Sequence, residues 1–425
     1  MLEIAHYPRP AIIQFLVFLY ARILGMLGPS TKTQNKMTAD GSPAASSWVI
    51  PNRSKPESGD VNRQIRFAIQ PMDPRTGHFL QPGEVLRYLT SAEGGLGLVY
   101  CPEGGLDWCE RVDRFYHGDT PSRDAGSLFY LGFGLMSSGH IALKAYFQPP
   151  LHVPSFSASV RGNDENLQLS SPPCPLFVGS KDFSHLRGLV ADLYDGMDES
   201  LSLLLDYFDS LDEPLKPWFH MLAVDVTGPL ANRLKIYVGT RVGLSFNDVR
   251  RCFTLDGRLH GSDMNESLAR LRVLWDCLFP DSHSQSGLDV QVPTIGSSAS
   301  ASLSSQPSTN PGRGVTDQHP TAGLGYYYEL GPGIRTVCPK IYIPVRQYCR
   351  SDAFTCSALE SFYADKLAGI GKRPSGWLAR DVEAAFSHRP LSSRSGICTW
   401  VTFGHKNQKG WEVMSYFSPE IWAQS

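Results

Sequence analysis

The sequence predicts an α+β protein in which an antiparallel β-barrel with a polar lumen is surrounded by helices. Three observations favour this fold class. Strand-like segments repeat a cation followed two residues later by a tyrosine, β-branched and other apolar residues occupy the positions between, and pairs of strands alternate with pairs of helices along the chain. Because side chains alternate between the two faces of a strand, each such segment has one polar and one apolar face. A barrel lined by the polar faces and covered outside by helices accounts for all three observations.

The clearest segment is 233–238. Arg233, Lys235 and Tyr237 share one face, and the aliphatic residues between them share the other. For any single copy, an edge strand with its cations in water is the favoured interpretation. The unit recurs, however, as Lys144-Ala-Tyr146 and Lys340-Ile-Tyr342, with a shorter form around Arg66. Several copies on separate strands favour a shared lumen.

The remaining elements follow in order along the chain. Strands are predicted at 64–70, 128–135, 141–148, 221–227, 233–240, 340–345, 398–404 and 412–417, and helices within 107–116, 186–208, 267–279, 354–367 and 377–388. Segment 38–48 is rich in turn residues. Residues 281–323 are rich in Ser, Gly, Pro and Thr, which predicts a disordered insertion within one domain spanning 1–425.

The N-terminal segment 11–28 is apolar and long enough to resemble a membrane anchor. Gln14 and Arg22 interrupt it, and no small-residue cleavage site follows it. We therefore expect a buried amphipathic helix and no membrane association. The apolar positions that indicate this helix are Ile13, Leu16, Phe18, Leu19 and Ile23.

Net charge and cysteine content indicate which classes of binding partner and which cellular compartment to expect. The net charge of −2 over 425 residues gives no reason to expect nucleic acid or an acidic membrane surface as a partner. Nine cysteines without a CxxC pair are typical of a reducing compartment, which favours the cytoplasm. The clustered cations of the lumen are therefore a local feature of the chain and are not explained by its overall charge.

Cations alternating with tyrosines predict a site for a polyanion whose reaction leaves a carbocation. Arg and Lys neutralise a diphosphate and stabilise it as a leaving group. Aromatic faces attract a cation, and a closed wall keeps water from quenching it. The residues assigned to the diphosphate are Arg66, Lys144, Arg233, Lys235 and Lys340; those assigned to the shield are Tyr146, Tyr237, Tyr342 and Tyr416.

The chain resembles the fungal aromatic prenyltransferases of the dimethylallyltryptophan synthase type. Segments at 40–48, 65–71, 144–149, 233–237, 254–257, 327–333, 339–345 and 416–421 carry the resemblance and stand in the family's order. It implies a ten-stranded antiparallel barrel (the ABBA prenyltransferase type) that transfers a prenyl group, usually dimethylallyl, to an electron-rich aromatic acceptor, often an indole, in fungal alkaloid and other secondary metabolism. It also implies no cofactor and no catalytic metal, and it is compatible with a homodimer.

Two departures from the family concern the acceptor. The acidic residue that usually binds the indole N–H is replaced by Ala45, and the Lys that serves as a base in some members aligns with Leu131. Three interpretations stay open: a phenolic or polyketide acceptor, an indole held in another pose, or a vestigial barrel that binds diphosphate without turnover. Gly325 leaves room for a prenyl chain longer than dimethylallyl.

Other acidic and basic groups receive structural interpretations. Asp192, Asp195 and Asp198 stand at spacings of three, for which a solvated helix face is favoured over a metal-diphosphate site. His220 and Asp225, near the central strand, are interpreted as structural.

Overall fold

The architecture is a closed ten-stranded antiparallel barrel. The computed structural model describes residues 1–29, 38, 41–50, 64–118, 129–149, 181–240, 243–280, 323–364, 374–406 and 410–421. Each strand pairs with its neighbours in sequence, and β1 pairs with β10 to close the barrel. The predicted fold class is confirmed. The strands are β1 Ala44–Ile50, β2 Gln64–Ile69, β3 Phe129–Leu135, β4 Ile141–Phe147, β5 Trp218–Asp225, β6 Leu234–Thr240, β7 Leu324–Leu330, β8 Cys338–Ile343, β9 Cys398–Lys406 and β10 Gly410–Phe417.

Helices cover the outer face of the barrel. Those of eight residues or more in the described part of the chain are α1 Arg9–Phe18, α2 Pro82–Thr90, α3 Asp107–His117, α4 Leu186–Leu193, α5 Asp198–Asp209, α6 Phe246–Thr254, α7 Ser262–Leu278, α8 Asp352–Ala364 and α9 Trp377–Ala385. The aliphatic face of β6 packs into this outer layer, where Leu234, Ile236 and Val238 are at most 1% exposed. The hydrophobic core therefore lies between barrel and helices, which leaves the lumen for polar side chains.

The N-terminal helix is buried on one side only. Phe15, Phe18 and Ile23 are almost fully buried, whereas Ile13 and Leu16 are 55% and 54% exposed. The prediction of a buried face was thus correct for Phe18 and Ile23 and wrong for Ile13 and Leu16, and Leu19 is half-buried. Arg9–Met26 is also long and apolar enough to cross a membrane by length and composition alone, with 28% of that stretch buried.

The start of the barrel differs from the sequence prediction. Residues 44–48, assigned to a turn-rich segment, belong to β1. Small polar residues have weak strand propensity, but pairing on both sides with β2 and β10 overrides it. Trp48 anchors this strand, since it is fully buried and its ring centroid lies 4.9 Å from that of Phe417.

Two further predictions need correction. The helical region 186–208 is interrupted at Tyr194, whose φ of −167° and ψ of 117° are extended. Asp192, Asp195 and Asp198 therefore do not share one helical face, and Asp192 lies 3.6 Å from Arg111. Helix α2 was not predicted. The proposed disordered insertion at 281–323 lies outside the described residues except for Gly323, and the single-domain assignment stays a prediction.

Candidate active site

The lumen is divided along the barrel axis into a charged part and an aromatic part. Strand register places Lys235 beside Glu329 and Ala223, and Tyr237, two residues further along β6, beside Tyr327 and Met221. All five predicted cations and all four predicted tyrosines are on lumen positions. We call the charged part the charged ring; it comprises Arg66, Lys144, Asp225, Arg233, Lys235, Glu329, Lys340, Lys406 and Glu412.

Asp225 connects three cations of the charged ring. Its Oδ2 lies 2.6 Å from Nη2 of Arg233, and both of its carboxylate oxygens lie 3.0 Å from Nζ of Lys235. From the neighbouring strand β4, Lys144 Nζ approaches Oδ1 at 3.6 Å. Asp225 was predicted to be structural, and the structure shows that it holds the cations of the site.

Two glutamates continue the ring. Glu329 Oε1 lies 3.3 Å from Nη1 of Arg233, and its Oε2 lies 3.6 Å from Nζ of Lys406. Glu412 Oε1 lies 3.2 Å from Nζ of Lys340. Its Oε2 lies 4.0 Å from Nη2 of Arg66, which also donates to Gln64. Cations and carboxylates therefore alternate around much of the lumen wall.

The charged ring holds more positive than negative charge. Six cations against three carboxylates leave a formal surplus of three positive charges. Burying like charges without partners is costly, so the carboxylates make the cluster tolerable before an anion arrives. The surplus that remains is suited to binding a polyanion.

Burial controls the protonation of the two most enclosed lysines. Desolvation lowers the pKa of Lys235 to about 7, although Asp225 opposes the shift, and lowers the pKa of Lys340 to about 7 against the pull of Glu412. Burial alone would raise the pKa values of the carboxylates, but the cations outweigh it. The pKa of Asp225 is held well below its usual range, and that of Glu329 falls to about 2. The carboxylates thus stay ionised at neutral pH, whereas these two lysines gain or lose a proton close to pH 7.

The aromatic part consists of five tyrosines from five strands. Tyr342 is central, since its hydroxyl oxygen lies 3.4 Å from those of Tyr237 and Tyr416. Tyr146 and Tyr327 flank Tyr237, with ring centroids 6.0 and 5.1 Å from it. We call these five residues the tyrosine wall. It meets the charged ring where Lys340 Nζ lies 5.8 Å from the ring centroid of Tyr327 and Lys144 Nζ lies 5.9 Å from that of Tyr146.

Glycines make room for some of these side chains. A Cβ at Gly132 would lie 3.0 Å from Cε2 of Tyr146, and a Cβ at Gly404 would lie 3.2 Å from two side-chain carbons of Lys340. Both distances are shorter than ordinary contacts between such atoms, so a larger residue at either position would displace a member of the site. Gly325 faces the lumen beside Tyr342 in the same way.

The two positions that the resemblance assigned to acceptor contacts, Ala45 and Leu131, lie on opposite faces of the barrel wall. Ala45 pairs with Ala68 on the lumen side of β1 and β2, so the usual acidic position does face the site and is apolar. Leu131 is fully buried in the outer core, so aligning it with a lumen base was wrong. The lumen positions of β3 are Tyr130, Gly132 and Gly134, which pair with Tyr146, Lys144 and Ala142 of β4.

Sequence reasoning missed four charged ring members and one tyrosine. Tyr327 and Glu329 lie in segment 327–333, which carries part of the family resemblance, but they were not assigned to the lumen, although period-two alternation puts them on one face. Glu412 and Lys406 lie near strand ends, where the local pattern does not reveal which face they occupy. Among the described residues, no group of three or more His, Cys, Asp or Glu is placed to hold a metal ion.

A closed barrel with a cationic ring at one level and an aromatic wall at the next is the arrangement of an enzyme that ionises an allylic diphosphate beside an aromatic acceptor. The fold and the site define an aromatic prenyltransferase. A family model described as tryptophan dimethylallyltransferase matches residues 1–369, and the chain belongs to this family. Strands β9 and β10, which complete the barrel, lie beyond the matched residues.

Individual relatives agree with this assignment. The chain is 24% identical to 7-dimethylallyltryptophan synthase of Aspergillus fumigatus over 451 aligned residues, covering 100% of this chain and 83% of the relative. It is 30% identical to 4-O-dimethylallyl-L-tyrosine synthase of Claviceps purpurea over 230 residues, covering 53% of this chain and 45% of the relative. The crystal structure of NotF in complex with brevianamide F and DMSPP shares the fold, with a TM-score of 0.66, 18% identity, and coverage of 98% of this chain and 90% of that one.

Proposed function

We propose that the charged ring binds the diphosphate of dimethylallyl diphosphate and that the tyrosine wall shields the dimethylallyl cation until an aromatic acceptor captures it. The observation that carries the proposal is the formal surplus of three positive charges beside five tyrosines in one closed lumen. The ring matches the anionic end of an allylic diphosphate, and the wall matches its cationic fragment.

The mechanism follows from these two parts. Arg66, Arg233 and the lysines stabilise the charge that develops on the diphosphate as the allylic C–O bond breaks, which is the main electrostatic task of the reaction. The aromatic faces of the wall stabilise the carbocation by about 0.5–2 kcal/mol each at close range. Exclusion of water favours capture by the acceptor over hydrolysis.

The acceptor is an electron-rich aromatic ring bound beyond the tyrosine wall. We infer an indole-type ring or, as the second candidate, a phenolic or polyketide ring; relatives whose names refer to tryptophan and to tyrosine support both. Ala45 favours an acceptor that does not need a carboxylate partner for a ring N–H. A longer prenyl chain beside Gly325 is an alternative to dimethylallyl.

We further infer the metal and cofactor requirement of the reaction and its cellular location. The charged ring takes the part that a divalent cation plays in other prenyl-transferring enzymes, so the reaction should need neither metal nor cofactor. We propose a cytoplasmic enzyme of fungal secondary metabolism, acting on small molecules without nucleic acid or membrane partners.

Mass spectrometry tests the proposal directly. Purified protein is incubated with dimethylallyl diphosphate and EDTA against a panel of indoles, tryptophan-derived cyclic dipeptides, phenols and polycyclic polyketides. A mass gain of one prenyl unit on an acceptor is expected. Calorimetric binding of the diphosphate without product from any acceptor would contradict turnover and identify a vestigial barrel.

A further inference from the structure

The imidazole of His220 lies in the lumen, beyond the tyrosine wall. His220 is the extra residue in β5 where the pairing with β6 shifts between Phe219 and Met221. A Cβ at Gly239 would overlap Nε2 of His220, and Gly239 lies two residues beyond Tyr237 on the same face of β6. A β-bulge of this kind re-aims a side chain and is frequent beside active sites. His220 itself is 8% exposed.

The position fits the acceptor end of the site. Gly239 is four residues from Lys235 along β6, so their Cα atoms are about 13 Å apart at roughly 3.3 Å per residue, and the imidazole that lies against Gly239 is at the end of the lumen away from Lys235. The tyrosine wall occupies the interval. A prenyl group whose diphosphate lies in the charged ring therefore extends along the lumen between the tyrosines, toward His220. An acceptor ring bound near His220 then contacts the allylic carbons on the side away from the diphosphate.

Among the residues that the structure describes, the titratable lumen groups nearest to His220 in the strand pairing are tyrosines. On β6, Val238 lies opposite Phe219 and Tyr237 lies opposite Met221, so His220 falls between these two pairs, and its imidazole lies against Gly239. The titratable lumen groups next along the axis are Tyr237 in β6, Tyr342 in β8 and, through β4, Tyr146. Burial raises the pKa values of these three phenols, so they stay protonated near neutral pH. The two positions that the family resemblance offered for polar acceptor contacts are an apolar lumen residue, Ala45, and an outward-facing one, Leu131.

We propose that His220 is the general base that removes the proton from the acceptor, an inference that rests on the proposed function. The allylic C–O bond breaks and its electron pair leaves with the diphosphate. A π pair of the acceptor ring then forms the new C–C bond to the prenyl carbon, which leaves a protonated ring. His220 takes the proton from that ring carbon, and the C–H electron pair restores aromaticity. With a phenolic acceptor attacking through oxygen, the same imidazole takes the hydroxyl proton.

The test compares His220→Ala with His140→Ala, which changes an exposed histidine in the turn between β3 and β4. The acceptor is the one found with the wild-type protein, supplied with hydrogen or deuterium at the prenylated carbon. We expect His220→Ala to bind dimethylallyl diphosphate within about twofold of wild type and to reduce prenylation at least about 100-fold. Its hydrogen isotope effect should increase because deprotonation becomes rate-limiting, and added imidazole should restore part of the rate.

Several results would overturn the proposal. These are prenylation by His220→Ala at the rate of His140→Ala, an unchanged isotope effect, or no rescue by imidazole in a variant that still binds the diphosphate. His220→Gln, which keeps a polar side chain in the bulge, provides a second variant if alanine disturbs binding of the diphosphate. Failure of the proposed function is distinguishable, since the wild-type protein itself would then form no prenylated product.

Discussion

Both carboxylate oxygens of Asp225 lie 3.0 Å from Nζ of Lys235, and the same carboxylate holds Arg233 and Lys144. One acidic residue thus keeps three cations of the diphosphate site in place. Attraction to a buried carboxylate offsets the repulsion among the cations and the cost of burying them. Asp225 is therefore a positioning residue for the charged ring.

Asp225→Asn should destabilise the protein, although the cationic side chains of the site remain present. We expect the free energy of unfolding to fall by about 3 kcal/mol, because three cations lose their shared counter-charge. Inorganic pyrophosphate should restore more stability to the variant than to wild type, since the anion replaces the missing charge. Urea denaturation with and without pyrophosphate measures both effects. Asp206→Asn, on the exposed side of α5, is the control, and an equal response of both variants would contradict this role.

Lys235→Ala should impair binding and turnover together. Lys235 is 1% exposed and faces the lumen beside Asp225 and Glu329. We expect at least a tenfold loss in turnover and in diphosphate affinity, equivalent to about 1.4 kcal/mol or more. Calorimetry and steady-state kinetics provide the measurement. Lys216→Ala, outside the barrel, is the matched control, and unchanged kinetics of Lys235→Ala would remove this residue from the site.

Binding of dimethylallyl diphosphate should take up protons. Lys235 and Lys340 have pKa values lowered to about 7, so both are largely neutral at pH 8. A bound anion favours their charged forms and raises these pKa values. Affinity should therefore be highest below pH 7 and should fall as pH rises through that value. Calorimetry at pH 8 in HEPES and in Tris, which differ in ionisation enthalpy, detects the uptake. Equal binding enthalpies in the two buffers would refute it, and Lys340→Met should reduce the difference.

Tyr342→Leu should release the allylic cation to water. Tyr342 joins Tyr237 and Tyr416 at the centre of the tyrosine wall, so its loss opens the wall and removes an aromatic face. We expect the ratio of prenyl alcohol to prenylated acceptor to increase at least about fivefold. Chromatography of both products measures the ratio. Tyr342→Phe keeps the ring and should resemble wild type; equal hydrolysis by the leucine and phenylalanine variants would contradict the shielding role.

The sequence was most informative about strand faces. Alternation of side chains is a local geometric property of a strand, so Arg233, Lys235 and Tyr237 could be assigned to one face without tertiary information. The same reasoning placed Tyr342 and Lys340 correctly. It could not reveal β1, because the strand assignment of 44–48 depends on pairing with β10, a strand more than 350 residues away in the chain.

An alignment could not decide which residues of β3 face the site. A shift of one residue moves a side chain to the other face of a strand, and this is how Leu131 was assigned to the lumen while Tyr130 and Gly132 were passed over. His220 was equally hidden, since a bulge interrupts the alternation by which a lumen position is recognised.

By itself, the sequence determined that this protein has cationic and tyrosine-bearing strands with one polar face each, and hence a barrel with a polar lumen. Only the tertiary structure decided which charges meet. Lys340 and Glu412 are 72 residues apart, and Arg233 and Glu329 are 96 apart, yet each pair is in contact. Strand register and barrel closure set these pairings through long-range hydrogen bonds. The charge balance of the lumen is therefore a property of the closed barrel, which no single strand encodes.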